Sequence, residues 1–181
     1  KMWAHQHFCK TNCNLECISH CKSMEPDIIS FGKKTQCCGI FAGKRLDEID
    51  DHVFKESSRI NSTFGGNLVD MVRFTIYLEI MESENLVDLV SENGSYLLSS
   101  LATLQNEESI VVSNVRGKGL FCAFDLPSSE LRNNLIAKVE EEGALILGCG
   151  HRSIRFRPHL NISKNEIDRA MVMIKSAMSK I

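Results

Sequence analysis

Three prolines punctuate the chain, and where they fall limits what it can fold into more than any other feature. A proline lacks the amide hydrogen that helices and central strands use, and it pushes the preceding residue away from helical geometry. Pro26 stands just before the apolar run Asp27-Ile28-Ile29-Ser30-Phe31, which reads as a buried strand. Pro127 closes a strand running from Gly119 to Leu126, and Pro158 closes another from Ser153 to Arg157. The long proline-free stretch between Pro26 and Pro127 is where extended helices fit.

Two helical patterns fill that stretch. Behind Asn67, a suitable cap, Leu68, Met71, Val72, Ile76, Ile80 and Met81 recur at three- and four-residue spacing. A second pattern runs from about Leu86 to Leu104 through Leu89, Val90, Leu97 and Leu101. Beyond Pro127, Ser128 or Ser129 caps a helix that carries Leu131, Leu135, Ile136 and Val139 and stops at Gly143. Ala144 to Leu147 reads as a short strand, Gly148-Cys149-Gly150 as a turn, and Ser163 with Glu166 as the capping box of a terminal helix. Gly117-x-Gly119 precedes a strand instead of following one, so it reads as a turn and not as a nucleotide fingerprint. Strands and helices in this order predict a small α/β domain from about Arg116 onward.

Composition narrows the function classes. A formal net charge of −2 gives no broad pull toward nucleic acid or an anionic membrane. No apolar run approaches the length that spans a bilayer, and the first residues do not read as a signal peptide, so the expected location is cytoplasmic. The chain has eight cysteines, but four of them crowd into Cys9, Cys13, Cys17 and Cys21, and Cys37-Cys38 are adjacent. That placement in so helical a chain reads as reduced thiols and not as a disulfide scaffold.

Three segments carry candidate chemistry. In Asp27 to Gln36 a strand runs into Gly32 and then Lys33-Lys34. A Schiff-base lysine has to be held rigidly and kept partly neutral, which a neighbouring cation and desolvation favour. Gly32 removes a side chain where a flat cofactor would approach. The same residues also suit a solvated lysine pair in a turn. Ser62-Thr63-Phe64-Gly65-Gly66-Asn67 brings a hydroxyl and backbone amides to a helix N-terminus, the makings of a phosphate site or of an ordinary capped loop. In Ile154-Arg155-Phe156-Arg157, strand alternation sends both arginines to one face. Such a pair suits a substrate carboxylate or an exposed strand face.

Together these segments carry a resemblance. The run from Pro26 to Cys38 resembles the cofactor-lysine signature of class III (ω-amino acid) pyridoxal-phosphate aminotransferases. Asp27, Ile28, Gly32, Lys33 and Cys38 fit it, while Cys37 stands where Val, Gly or Ser is usual. Within that family, Phe31 to Gln36, Asn61 to Arg73 and Arg155 to Pro158 are most similar to L-lysine 6-aminotransferases, with 4-aminobutyrate aminotransferases next.

The resemblance implies an α/β protein of the fold-type I transferase class. Residues 1–67 would be the C-terminal end of the large cofactor-binding domain, 68–110 connecting helices, and 111–181 the small α/β domain. The implied cofactor is pyridoxal 5'-phosphate, carried by Lys33, which also moves the proton. Thr63 would contact the cofactor phosphate across a homodimer interface, and Arg155 would hold the carboxylate of 2-oxoglutarate. The implied reaction passes the ε-amino group of L-lysine to 2-oxoglutarate, giving 2-aminoadipate semialdehyde and glutamate.

The family's phosphate loop, its stacking aromatic ring and the Asp that pairs with the pyridine nitrogen all match positions before Lys1. The expectation is therefore little transaminase activity from this stretch by itself. Residues 9–23 interrupt the family pattern as a Cys-rich insertion. Its Cys-x3-Cys spacing is not a usual zinc spacing, so no metal site is expected, though a metal-binding module stays open beside a non-catalytic remnant.

Overall fold

The computed structural model describes residues 26–60, 63, 65–107 and 111–181. The Cys-rich insertion, residues 9–23, lies outside them. The described residues fall into two compact units that divide between Glu84 and Asn85.

In the first unit, β1 (Ile28–Phe31) pairs antiparallel with β2 (Gly39–Ala42), Ile28 opposite Ala42 and Phe31 opposite Gly39. The Phe31 ring fills the space over Gly39, where a Cβ would come within 2.4 Å of it. Phe31 also stacks on Phe41, at 4.7 Å between centroids, and on Phe74 of α1 (Leu68–Ser83), at 5.8 Å. Asn67 caps α1 as its sequence position predicts, its side chain accepting from the Val69 amide at 2.9 Å. The strand at 28–31 forms where expected but is only half covered, because a two-stranded ribbon lacks the mass to bury its own faces. The apolar stripe of α1 is likewise open, with Leu68 76% exposed and Val72 61%. Leu46 is the one buried apolar residue among those described in this unit.

The second unit has a core. It runs α2 (Leu86–Gln105), β3 (Ser113–Lys118), β4 (Phe121–Asp125), α3 (Ser129–Glu141), β5 (Leu147–Cys149), β6 (Ser153–Phe156) and α4 (Lys164–Met178). The four strands form one antiparallel sheet in the order β3-β4-β6-β5. Alternation sends Cys122 and Phe124 of β4, with Ile154 and Phe156 of β6, into the core. Leu97, Leu101 and Leu104 of α2, Leu135 and Val139 of α3, and Ile167 and Ile174 of α4 cover them. Burying those α2 leucines makes α2 part of this unit.

The local end signals hold. Ser128 caps α3, accepting from the Leu131 amide at 3.1 Å, and Ser163 and Glu166 form both bonds of the capping box on α4. Three strand readings need correction. The strand expected at 119–126 is shorter, Phe121–Asp125, because Gly119 at φ +54° and Leu120 make the turn from β3, and Gly117 is not in that turn but paired with Cys122. The strand expected at 144–147 sits at Leu147–Cys149, so Gly148 and Cys149 are paired residues and the turn falls later, at Gly150 with φ +54°. The extended stretch at 153–157 ends one residue early, at Phe156. β3 escaped the sequence reading because Ser-Asn-Val-Arg-Gly-Lys has no apolar alternation.

Gly94 of α2 is buried against the β3–β4 turn, and a Cβ there would stand 2.2 Å from the Gly119 carbonyl carbon. Alanine is the better helix former by about 1 kcal/mol, yet this contact forces the helix off the sheet. Gly94→Ala is expected to destabilise the second unit by about 1–3 kcal/mol, read as a lower urea midpoint by circular dichroism.

Candidate active site

Lys33 opens the short loop that joins β1 to β2. Its backbone lies in the left-handed region, φ +62°, which a non-glycine residue adopts at a cost of about 1–2 kcal/mol. Lys34 is free of that strain. The loop is fastened from both sides. The Gln36 amide donates to the Lys33 carbonyl at 3.1 Å, and the Thr35 hydroxyl donates to the Cys37 carbonyl at 2.7 Å. The Arg73 guanidinium of α1 donates to the Gln36 side-chain oxygen and to Asp70, each at 3.0 Å. With Phe31 stacked on Phe74, the loop is tied to α1 at both of its ends. The side chain of Lys33 is exposed and makes no hydrogen bond or ion pair among the described residues. A Cβ on Gly32 would meet the Cys38 sulfur at 2.9 Å, so glycine there makes room for Cys38 across the loop.

Thr63 is exposed in the turn that leads through Gly66, at φ +76°, into α1. Its neighbours at 61, 62 and 64 lie outside the described residues. Asp70 in the first turn of α1 opposes anion binding there, but its charge is offset by Arg73 at 3.0 Å.

Arg155 belongs to the second unit. It lies half-buried on β6, opposite Ala123 of β4 and Leu147 of β5, on the sheet face that turns away from Phe124 and Ile154. Its guanidinium has no partner among the described residues. Arg157, paired with it in the sequence reading, lies past the end of β6 and is exposed.

The same face holds a network that sequence reasoning missed. Asp125, 8% exposed, accepts through Oδ1 from the Ser153 hydroxyl at 2.6 Å and from Arg116 Nη1 at 2.9 Å. Its Oδ2 accepts from Asn114 Nδ2 at 2.8 Å, and Arg116 Nη2 donates to Ser153 Oγ at 3.1 Å. A register shift between Ser113 and Arg116, with Asn114 at φ +53°, brings the Asn114 amide into place. The bonds from Ser153 and Asn114, and then Arg116, hold the Asp125 carboxyl well below the usual carboxylate range, at about 2. The signal in the sequence was an aspartate inside the apolar strand Phe121-Cys122-Ala123-Phe124-Asp125, with an arginine across a glycine turn.

Comparison with known proteins gives a consistent answer. Residues 1–178 match the family model described as aminotransferase class-III. L-lysine-epsilon aminotransferase of Streptomyces clavuligerus is 45% identical over 159 residues, covering 87% of this chain and 35% of that protein. Mitochondrial 4-aminobutyrate aminotransferase of Rattus norvegicus is 33% identical over 162 residues, 88% of this chain and 28% of that protein. A solved lysine aminotransferase from M. tuberculosis matches with a TM-score of 0.81 at 43% identity, over 89% of this chain and 38% of its own. The chain spans about a third of the length of the curated relatives it matches.

Because the Asp125 carboxyl is lowered on folding, the stability it contributes is fully present above its unfolded pKa of about 4. That contribution is lost as pH falls through about 2. Acid denaturation of wild type and Asp125→Asn, compared by circular dichroism, is expected to show a steeper loss for the wild type across that window.

Proposed function

The chain belongs to the class-III aminotransferases, and on that premise we propose that it serves the transfer of the ε-amino group of L-lysine to 2-oxoglutarate. The products are 2-aminoadipate semialdehyde and glutamate. Identity of 45% to an L-lysine-epsilon aminotransferase, against 33% to a 4-aminobutyrate aminotransferase, favours lysine as the donor. The observation that carries the reading on the structural side is Lys33: strained in its backbone, fastened to α1, and unpartnered at its amine among the described residues. Strain of this kind gathers at functional sites.

The residues fit pyridoxal 5'-phosphate, the cofactor of this family. An open primary amine suits its aldehyde, and a hydroxyl beside a helix N-terminus suits its phosphate. When bound, the cofactor supplies an electron sink for the carbon that loses its proton. Lys33 Nζ holds the cofactor, and then takes and returns that proton. Thr63 donates its hydroxyl to the phosphate bound by the second subunit of a homodimer. Arg155 grips the carboxylate of 2-oxoglutarate by two parallel bonds.

The same reading makes residues 1–67 the end of the cofactor-binding domain and 111–181 the small domain, with 68–110 connecting them and α2 of that stretch packed in the second unit's core. No helix among the described residues is long and apolar enough to cross a membrane, which suits an enzyme of the cytoplasm.

The test is an assay of glutamate formation by the product of the whole reading frame, supplied with pyridoxal phosphate and 2-oxoglutarate. L-Lysine is expected to outpace 4-aminobutyrate as donor, and the reverse order moves the assignment to that second substrate. Lys33→Ala is expected to lower kcat by roughly 10²- to 10⁴-fold, and Lys34→Ala to leave it near wild type.

A further inference from the structure

Strand pairing places Asp125 within reach of two arginines, and the structure gives it to one of them. On the outer face of the second unit's sheet, Ala123 of β4 is flanked by Arg116 of β3 and Arg155 of β6. Asp125 lies two residues along β4, diagonal to Arg155, and such diagonal neighbours are close enough for long side chains to meet. An acid there is a natural partner for Arg155. Yet Asp125 Oδ1 is taken by Arg116 and Ser153, its Oδ2 by Asn114, and Arg116 reaches on to Ser153. The clamp leaves Arg155 on this face with no partner among the described residues.

We propose that Arg116, with Ser153 and Asn114, holds the Asp125 carboxylate away from Arg155 and so keeps the Arg155 guanidinium open for an external dicarboxylate. Arg116 is thus a positioning residue that acts through Asp125. The role of the dicarboxylate rests on the reading of Arg155 given above, whereas the clamp itself does not. If the clamp is removed, Asp125 closes on Arg155 and competes with any incoming carboxylate. A partly exposed ion pair of this kind is worth up to about 1 kcal/mol, which sets the expected competition at about fivefold.

The experiment follows the Arg155 side-chain Nε–H resonance in the full chain, with glutarate as the probe. In Arg116→Met, the resonance is expected to acquire the pH dependence of a nearby carboxylate, and to lose it in Arg116→Met/Asp125→Asn. Glutarate affinity is expected to fall about fivefold in Arg116→Met and to return in the double variant. Where Arg116→Met fails to fold, Ser153→Ala decides, since it keeps both charges and removes the bridge; a smaller shift of the same sign is expected. A folded Arg116→Met, or Ser153→Ala in its place, whose Arg155 resonance is unmoved and insensitive to carboxylate titration overturns the clamp. Glutarate binding that survives Arg155→Ala instead overturns the reading of Arg155 and leaves the resonance result to judge the clamp.

Discussion

The antiparallel register of β4 against β6 is the constraint on which the second unit depends. It sets Phe124 beside Ile154 in the core and, on the other face, Ala123 beside Arg155 and Asp125 beside Ser153. Because successive side chains alternate, a slip of β4 by one residue would turn Phe124 away from Ile154 to solvent and drive Asp125 into the core. The apolar cost of that slip is large, since both core residues are fully buried. The hydrophobic core therefore fixes not only the fold but also which polar groups meet on the outer face. The carboxylate clamp is a consequence of the same pairing that buries the phenylalanine.

The first unit works by other means. Its described residues bury little, and the Lys33 loop takes its shape from a few directed contacts: Phe31 on Phe41 and Phe74, and Gln36 on Arg73. An aromatic pair contributes about 0.5–1.5 kcal/mol beyond its buried area, comparable to the strain stored at Lys33. Stacking and strain are thus nearly balanced, so the loop's conformation is sensitive to the orientation of α1. The apolar stripe of α1 that stays open is an exposed surface of the sort that marks interaction sites.

What could be read from the sequence follows the range of the interaction. Asn67, Ser128 and the Ser163–Glu166 box act within three residues of themselves, so their spacing announced the ends of three helices. β3 and the placement of β5 were not legible, because a polar strand and a three-residue strand owe their position to their partners. The Arg116–Asp125–Ser153 network joins residues from three strands and exists only once the register is set. Lys33 was singled out from Lys34 by resemblance to a family signature. The structure adds an independent difference, the left-handed backbone at Lys33 alone of the two.

The proposed functional reading turns on whether Lys33 carries the cofactor. It is tested most directly by incubating the purified chain with pyridoxal phosphate, reducing with borohydride and mapping the modified lysine by peptide mass spectrometry. Modification concentrated on Lys33, and absent from Lys34, is the expected result. Label spread evenly over Lys33, Lys34 and the other exposed lysines would contradict it.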